Sequence, residues 1–168
     1  IRTEERESGE IRAVCGASRS GKSESVKVET RDAERLLVWD VRREYPADPI
    51  NKIKPITDPM EFVRICESGE SGRYAYVATG DFSKQFEFFC DNAMMWLQHW
   101  PGVIVADEVG QVTTTAKAQG AWFTLVSQGA YWGGWIYGIC QRTSEADKTL
   151  WGNATVKRGF QADGELDQ

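Results

Sequence analysis

No stretch of this 168-residue sequence approaches the ~20 consecutive apolar residues that span a bilayer, and none reads as a signal peptide. A cytoplasmic protein with no membrane span in this segment is therefore expected. Four cysteines, Cys15, Cys66, Cys90 and Cys140, form no CxxC pair, and His99 is the single histidine, so a structural zinc site lacks ligands. Buried, reduced thiols are expected instead. Glycine (16) and proline (5) are too few for a disordered or fibrous chain, and neither an internal repeat nor a low-complexity tract is present. Excess positive charge is also missing. With 20 Lys and Arg against 25 Asp and Glu, the formal charge is -5, which argues against a freestanding domain that holds nucleic acid through its overall field. Local basic loops stay open, as does a ring that gathers a few cations from each copy into one channel. What is present suits one core: 41% hydrophobic residues and seven Trp. Residues 1–168 are read as a single domain, with 1–10 and 161–168 peripheral or flexible.

The apolar runs alternate with helical patterns. Ile11–Cys15 reads as a buried strand leading into a glycine turn, and Ser23–Thr30 as a short helix. Leu36–Trp39 is a second strand ending at Asp40. Asp58 and Pro59 open a helix as N-cap and first-turn proline, and Ser68 and Gly69 close it. Tyr74–Ala78 is a third strand. Phe82, Phe86, Phe89, Ala93 and Leu97 recur at helical spacing behind it. Val103–Ala106 is a fourth strand, Lys117–Gln128 a helix, Trp135–Cys140 a fifth strand, and Ala154–Val156 an edge strand. The fold class this predicts is α/β, a three-layer sandwich around a mostly parallel central sheet. In such sheets functional groups gather at the carboxyl ends of strands, where Asp40, Gly80, Asp107 and Gln141 fall.

Gly16-Ala17-Ser18-Arg19-Ser20-Gly21-Lys22-Ser23 fits G-x-x-x-x-G-K-[ST] without exception, after a strand and before a helix. That is a P-loop, or Walker A motif, for ATP. Its backbone N–H groups turn inward as an anion nest, the helix N-terminus adds its dipole, Lys22 reaches the β- and γ-phosphates, and Ser23 offers its hydroxyl oxygen to Mg²⁺. Val103-Ile104-Val105-Ala106-Asp107-Glu108 supplies the Walker B element. Asp107 is expected to hold Mg²⁺ through water and Glu108 to polarise the water that attacks the γ-phosphate. A kinase has less use for Glu108. Gln141, ending the next strand, occupies a sensor position for the γ-phosphate or the attacking water. The expected activity is ATP hydrolysis.

Taken together, GASRSGKS, then LLVWDVRREY with Asp40, Glu44 and Tyr45, then VIVADE, then IYGICQR resemble the HerA/FtsK superfamily of ring-forming ATPases. The resemblance covers roughly residues 11–153 and implies a RecA-like P-loop fold. Within the superfamily the small size is most similar to genome-packaging ATPases of tailless, membrane-containing viruses, with zonula occludens toxin-like phage assembly ATPases close behind. The resemblance implies an oligomeric motor, usually a hexamer, that moves double-stranded DNA with ATP bound between subunits. It also implies an arginine supplied by a neighbouring subunit, for which Arg142 and Arg158 are the candidates and Arg42 and Arg43 the reserve.

Two other readings stand beside the DNA motor. One is a P-loop kinase for a small substrate, and the other a nucleotide-gated assembly or extrusion protein. Trp132–Trp135 is read as core and turn rather than a subunit contact, and Thr113–Thr115 as helix capping rather than a DNA-binding loop.

Overall fold

The structure, a computed structural model, describes residues 7–17, 19–112, 120–142 and 148–160. Among the described residues, seven strands form one sheet: β1 (Glu10–Gly16), β2 (Leu36–Trp39), β3 (Lys54–Ile56), β4 (Arg73–Tyr76), β5 (Val103–Ala106), β6 (Trp135–Cys140) and β7 (Val156–Phe160). Their spatial order is β3-β4-β2-β5-β6-β1-β7. Every pairing is parallel. The α/β sandwich expected from the sequence is therefore present, and it is parallel throughout the described residues. Between β1, which ends at Gly16, and β5, which ends at Ala106, lies β6, an additional strand that carries Gln141 just past its end.

Helices α1 (Lys22–Glu29), α2 (Pro59–Ser68), α3 (Phe82–His99), α4 (Gly120–Gln128) and α5 (Lys148–Asn153) divide unequally between the two faces. One core gathers Phe62 and Ile65 of α2, Phe86, Phe89 and Leu97 of α3, Trp122 of α4 and Leu150 of α5. Tilted rings at its centre, Trp39 against Phe86 at 5.1 Å and Phe62 against Tyr76 at 4.8 Å, fix α2 and α3 to β2 and β4. The opposite face carries α1, whose Val26 packs with Val14, Val38, Tyr45 and Ile139. Strand residues alternate between the two cores because successive side chains in a strand point to opposite faces.

Asp58 caps α2 as expected, accepting from the Met60 N–H, and Gly69 ends it with a positive φ of 68°. Asp81 does the same for α3 by accepting from the Lys84 N–H. Among the described residues, β3, α5, the 3₁₀ turns Val109–Gln111 and Gly129–Trp132, and most of β7, of which only Val156 falls in the expected edge strand, are elements the sequence does not predict. Helix α4 begins at Gly120, while 117–119, Thr113–Thr115 and the tail 161–168 lie outside the described residues. At the other end, the Gly9 and Glu10 N–H groups hydrogen bond to the Ala130 and Gly134 carbonyls, tying the start of β1 to the body. Trp132 packs against the first core, in keeping with a core-and-turn role.

The cysteine expectation needs correcting in part. Cys66 and Cys90 are buried free thiols, but Cys15 is joined to Cys140 by a disulfide. The parallel register of β1 and β6 sets these two residues directly opposite each other, with Cα atoms 4.8 Å apart. A separation of 125 residues along the chain conceals that neighbourhood.

Candidate active site

The P-loop leaves β1 at Gly16 and enters α1 at Lys22. Gly16 is required by a close approach: a Cβ there would stand 2.7 Å from Phe160 of β7 and from the Ser20 hydroxyl. Gly21 caps α1 at φ 89°, in the left-handed region that favours glycine, and a Cβ there would meet nothing within 4 Å. Its open side faces a cleft of about 480 Å³, lined by Arg19, Ser20, Lys22, Ser23, Arg42 and Glu108 among others. Lys22 is buried and donates from Nζ to the Ala17 carbonyl at 3.3 Å. The Ser20 hydroxyl is buried with no hydrogen-bond partner among the described residues. Arg19 is exposed and lines the cleft with a positive φ of 64°, and Ser18 lies outside the described residues.

Across the sheet, the end of β5 delivers Glu108 to the same cleft and Asp107 to Ser23, which lines it. Asp107 is buried, and its Oδ2 accepts from the Ser23 hydroxyl at 3.2 Å and from the Tyr45 hydroxyl at 3.0 Å. Its Oδ1 accepts from the Glu108 N–H at 2.9 Å. Burial pushes the Asp107 carboxyl up to about 6, with the hydroxyls of Tyr45 and Ser23 pulling the other way. Burial also raises the Tyr45 hydroxyl well above its ordinary value, reinforced by the Asp107 charge. Tyr45 is thus a neutral donor at physiological pH.

Glu108 is buried and sits at φ 58°, a left-handed conformation that a non-glycine residue adopts at a cost. Its Oε1 meets Arg42 Nη2 at 3.3 Å, and its Oε2 accepts from Gln141 Nε2 at 3.5 Å. The structure therefore brings Lys22, Ser23, Asp107, Glu108 and Gln141 together, as the sequence predicts.

Arg142 follows Gln141 and is exposed. Arg158, on β7, pairs with Glu29 at the far end of α1, and Tyr137 donates to the same carboxylate from its hydroxyl. Within one chain neither arginine reaches the cleft. Arg42 does.

Tyr45 acquires a role that motif reading leaves unassigned, and Arg42, a reserve candidate for the neighbour's arginine, faces the cleft of its own chain. Both belong to the turn after β2, which Asp40 folds by accepting from the Glu44 N–H at 3.2 Å and the Tyr45 N–H at 3.0 Å. Burial raises the Asp40 carboxyl above its usual range, opposed by those backbone donors. Committed to the backbone in this way, Asp40 is a scaffold for the turn. The available signal was its position at a strand's carboxyl end, with Arg42 and Tyr45 two and five residues on.

The donor set fits a magnesium triphosphate. A serine hydroxyl and one carboxylate suit Mg²⁺, which keeps several waters and takes its other ligands from phosphates. Ser23 gives its proton to Asp107, so its oxygen lone pairs stay available for a metal. Among the described residues no group of three or more His, Cys, Asp or Glu side chains is gathered as a metal site.

Comparison with known proteins extends this picture. No protein-family model matches the sequence. Over 142 residues, 82% of the chain, it is 29% identical to protein P9 of Pseudoalteromonas phage PM2, and it spans 62% of that protein's length. In structure it is similar to the genome packaging NTPase B204 of Sulfolobus turreted icosahedral virus 2 in complex with AMP, with a TM-score of 0.70 at 14% identity, over 94% of this chain and 77% of that one. It is also similar to the N-terminal domain of zonular occludens toxin from Neisseria meningitidis, with a TM-score of 0.50 at 14% identity, over 95% of this chain and 80% of that one. The resemblance seen in the sequence motifs is thus found again in the fold, which this chain shares with viral genome-packaging NTPases and a zonular occludens toxin domain.

Proposed function

We propose that the chain hydrolyses ATP with Mg²⁺ and that hydrolysis drives DNA translocation in a ring, most plainly the packaging of a viral genome. The observation carrying the hydrolytic reading is the Asp107–Glu108 pair facing the P-loop, with Ser23 bonded to Asp107 and Gln141 to Glu108. Two carboxylates with different partners suit two roles. Asp107, whose Oδ2 accepts from two hydroxyls, would hold the metal, while Glu108, met at its tip by Arg42 and Gln141, would take a proton from water. Lys22 and the P-loop N–H groups hold the phosphates, with Ser20 a further donor whose hydroxyl is otherwise unsatisfied. Mg²⁺, when bound, neutralises charge between the β- and γ-phosphates.

The packaging reading is supported by the fold shared with the B204 NTPase, whose structures hold ATP-gammaS and AMPPCP, and by the sequence similarity to phage protein P9. Placement within the HerA/FtsK superfamily and a hexameric ring belong to the same proposal. A second reading, a phage assembly or extrusion ATPase, is favoured by the fold shared with the zonular occludens toxin domain. The test is ATPase rate against protein concentration, with and without double-stranded DNA. The motor reading expects turnover per subunit to rise with concentration and with DNA. Turnover indifferent to DNA points to the assembly reading, and phosphate transfer to a small acceptor in place of water sinks both.

A further inference from the structure

We infer that Arg42 is a γ-phosphate sensor acting within its own chain, parked on Glu108 until a nucleoside triphosphate draws its guanidinium away. This rests on the nucleotide-site reading above and deepens it. In the one chain described here, the Arg42 guanidinium lies against the carboxylate that is to meet the attacking water, at 3.3 Å, and lines the same cleft as Lys22 and Ser23. Any cation touching the tip of Glu108 from the cleft side stands beside the position of the γ-phosphate, because a general base must lie within one water of the phosphorus it serves. Arg42 is the only cation in an ion pair with Glu108 among the described residues.

Three features make the pair a latch and not a structural bridge. The Arg42 side chain is 46% exposed, whereas that of Glu108 is 9% exposed. A pair open to solvent on one side is worth little to the fold, so a dianionic phosphate oxygen cluster can take the guanidinium at small cost. The turn that carries Arg42 is built on its own terms. Asp40 accepts two backbone N–H groups, Arg43 adopts φ 56°, and Tyr45 is buried with its hydroxyl on Asp107. Arg42 can therefore swing from carboxylate to phosphate while its backbone stays fixed. Lastly, Gln141 holds the other Glu108 oxygen, so the carboxylate keeps one neutral partner when the guanidinium leaves. Release of Glu108 would then be coupled to the presence of the third phosphate, and Mg-ADP would leave the latch closed.

Removing Arg42 also uncovers the Glu108 charge, which would by itself repel a triphosphate. The test is therefore made in Glu108→Gln, where that charge is absent. Calorimetric titration of Glu108→Gln with Mg-AMPPCP and Mg-ADP sets the reference preference for the triphosphate. Adding Arg42→Ala should lower that preference about 10- to 100-fold, the worth of one charge-assisted contact, with Mg-ADP affinity unchanged. Arg42→Lys in the same background should restore part of it. An unchanged preference in the Arg42→Ala double variant overturns the inference, as does an equal loss for both nucleotides. Should Glu108→Gln bind neither nucleotide, the nucleotide site itself is wrong and the sensor falls with it. Retained Mg-ADP binding in the double variant excludes misfolding as the source of the effect.

Discussion

Asp107 is where the demands of folding and chemistry diverge most. It is buried, receives two hydroxyls on a single oxygen, and still has its carboxyl pushed up to about 6 because desolvation outweighs those donors. The sign of its linkage follows. An acid raised in the folded state takes up a proton on folding at pH values between its unfolded value, about 4, and its folded one. Its contribution to stability is therefore lost as pH rises through roughly 4 to 6 and stays lost at neutrality. Asp107→Asn should stabilise the nucleotide-free protein by about 1–3 kcal/mol at pH 7, with the gain gone near pH 4. Thermal melts of both proteins at the two pH values check this, and an Asp107→Asn variant that melts at or below wild type at pH 7 contradicts it. The same variant should lose Mg²⁺-dependent turnover. On the proposed function, the carboxylate is costly to the empty fold and that cost is offset when a cation shares its site.

At the scale of elements, the turn from Asp40 to Tyr45 contributes more to the site than its length suggests. It brings Tyr45 to Asp107 and Arg42 to Glu108, one partner for each Walker B acid. Asp40→Ala frees the Glu44 and Tyr45 N–H groups and should cost about 1–3 kcal/mol of stability. It should also raise the Mg²⁺ concentration needed for half-maximal turnover, because Tyr45 would no longer hold Asp107. A variant with lowered melting temperature but unaltered Mg²⁺ dependence would show that Tyr45 is placed by its own packing instead. Much of this architecture was legible in the sequence. The Gly16–Ser23 motif, the Asp107–Glu108 pair and Gln141 follow the ends of short strands that are apolar throughout (β5, β6) or, from Ile11 on, broken only by Arg12 (β1), so motif and strand-end position pointed to one region. Other parts were hidden for physical reasons. Strand β3 is three residues, Lys54–Ile56, too short to show a period. Strand β7 alternates half-buried and exposed residues, so it lacks the continuous apolar run of its neighbours. The Cys15–Cys140 link and the Tyr45–Asp107 and Arg42–Glu108 contacts depend on sheet order and side-chain reach, which no local pattern encodes.

For the whole molecule, the open matter is where the second arginine comes from if the chain works as a ring. Arg42 serves the cleft in its own chain, but the family resemblance also implies an arginine from a neighbour, and the two sequence candidates now differ in kind. Arg142 is exposed beside the carboxyl end of β6, next to Gln141. Arg158 already has a carboxylate partner in Glu29 and would have to leave it to act elsewhere. A half-buried pair of that sort is worth at most about 1 kcal/mol, so Arg158→Ala should leave the melting temperature nearly unchanged. Its effect on turnover is thus readable without a folding correction. An arginine finger is worth about 10³- to 10⁵-fold in P-loop enzymes, so a chain lacking the true finger should be nearly inactive. Mixing separates the candidates. If Arg142 is the finger, Arg142→Ala and Lys22→Ala subunits should each be inactive alone, but a mixed ring can set an intact Lys22 of one beside an intact Arg142 of the other. Recovery of ATPase activity on mixing identifies Arg142 as a residue acting across the interface, and the parallel mixture with Arg158→Ala reads Arg158 in the same way. If Arg142→Ala is inactive yet no mixture recovers, Arg142 acts within its own chain alongside Gln141. If neither single variant loses activity and turnover per subunit stays flat on dilution, Arg42 suffices and catalysis needs no neighbour.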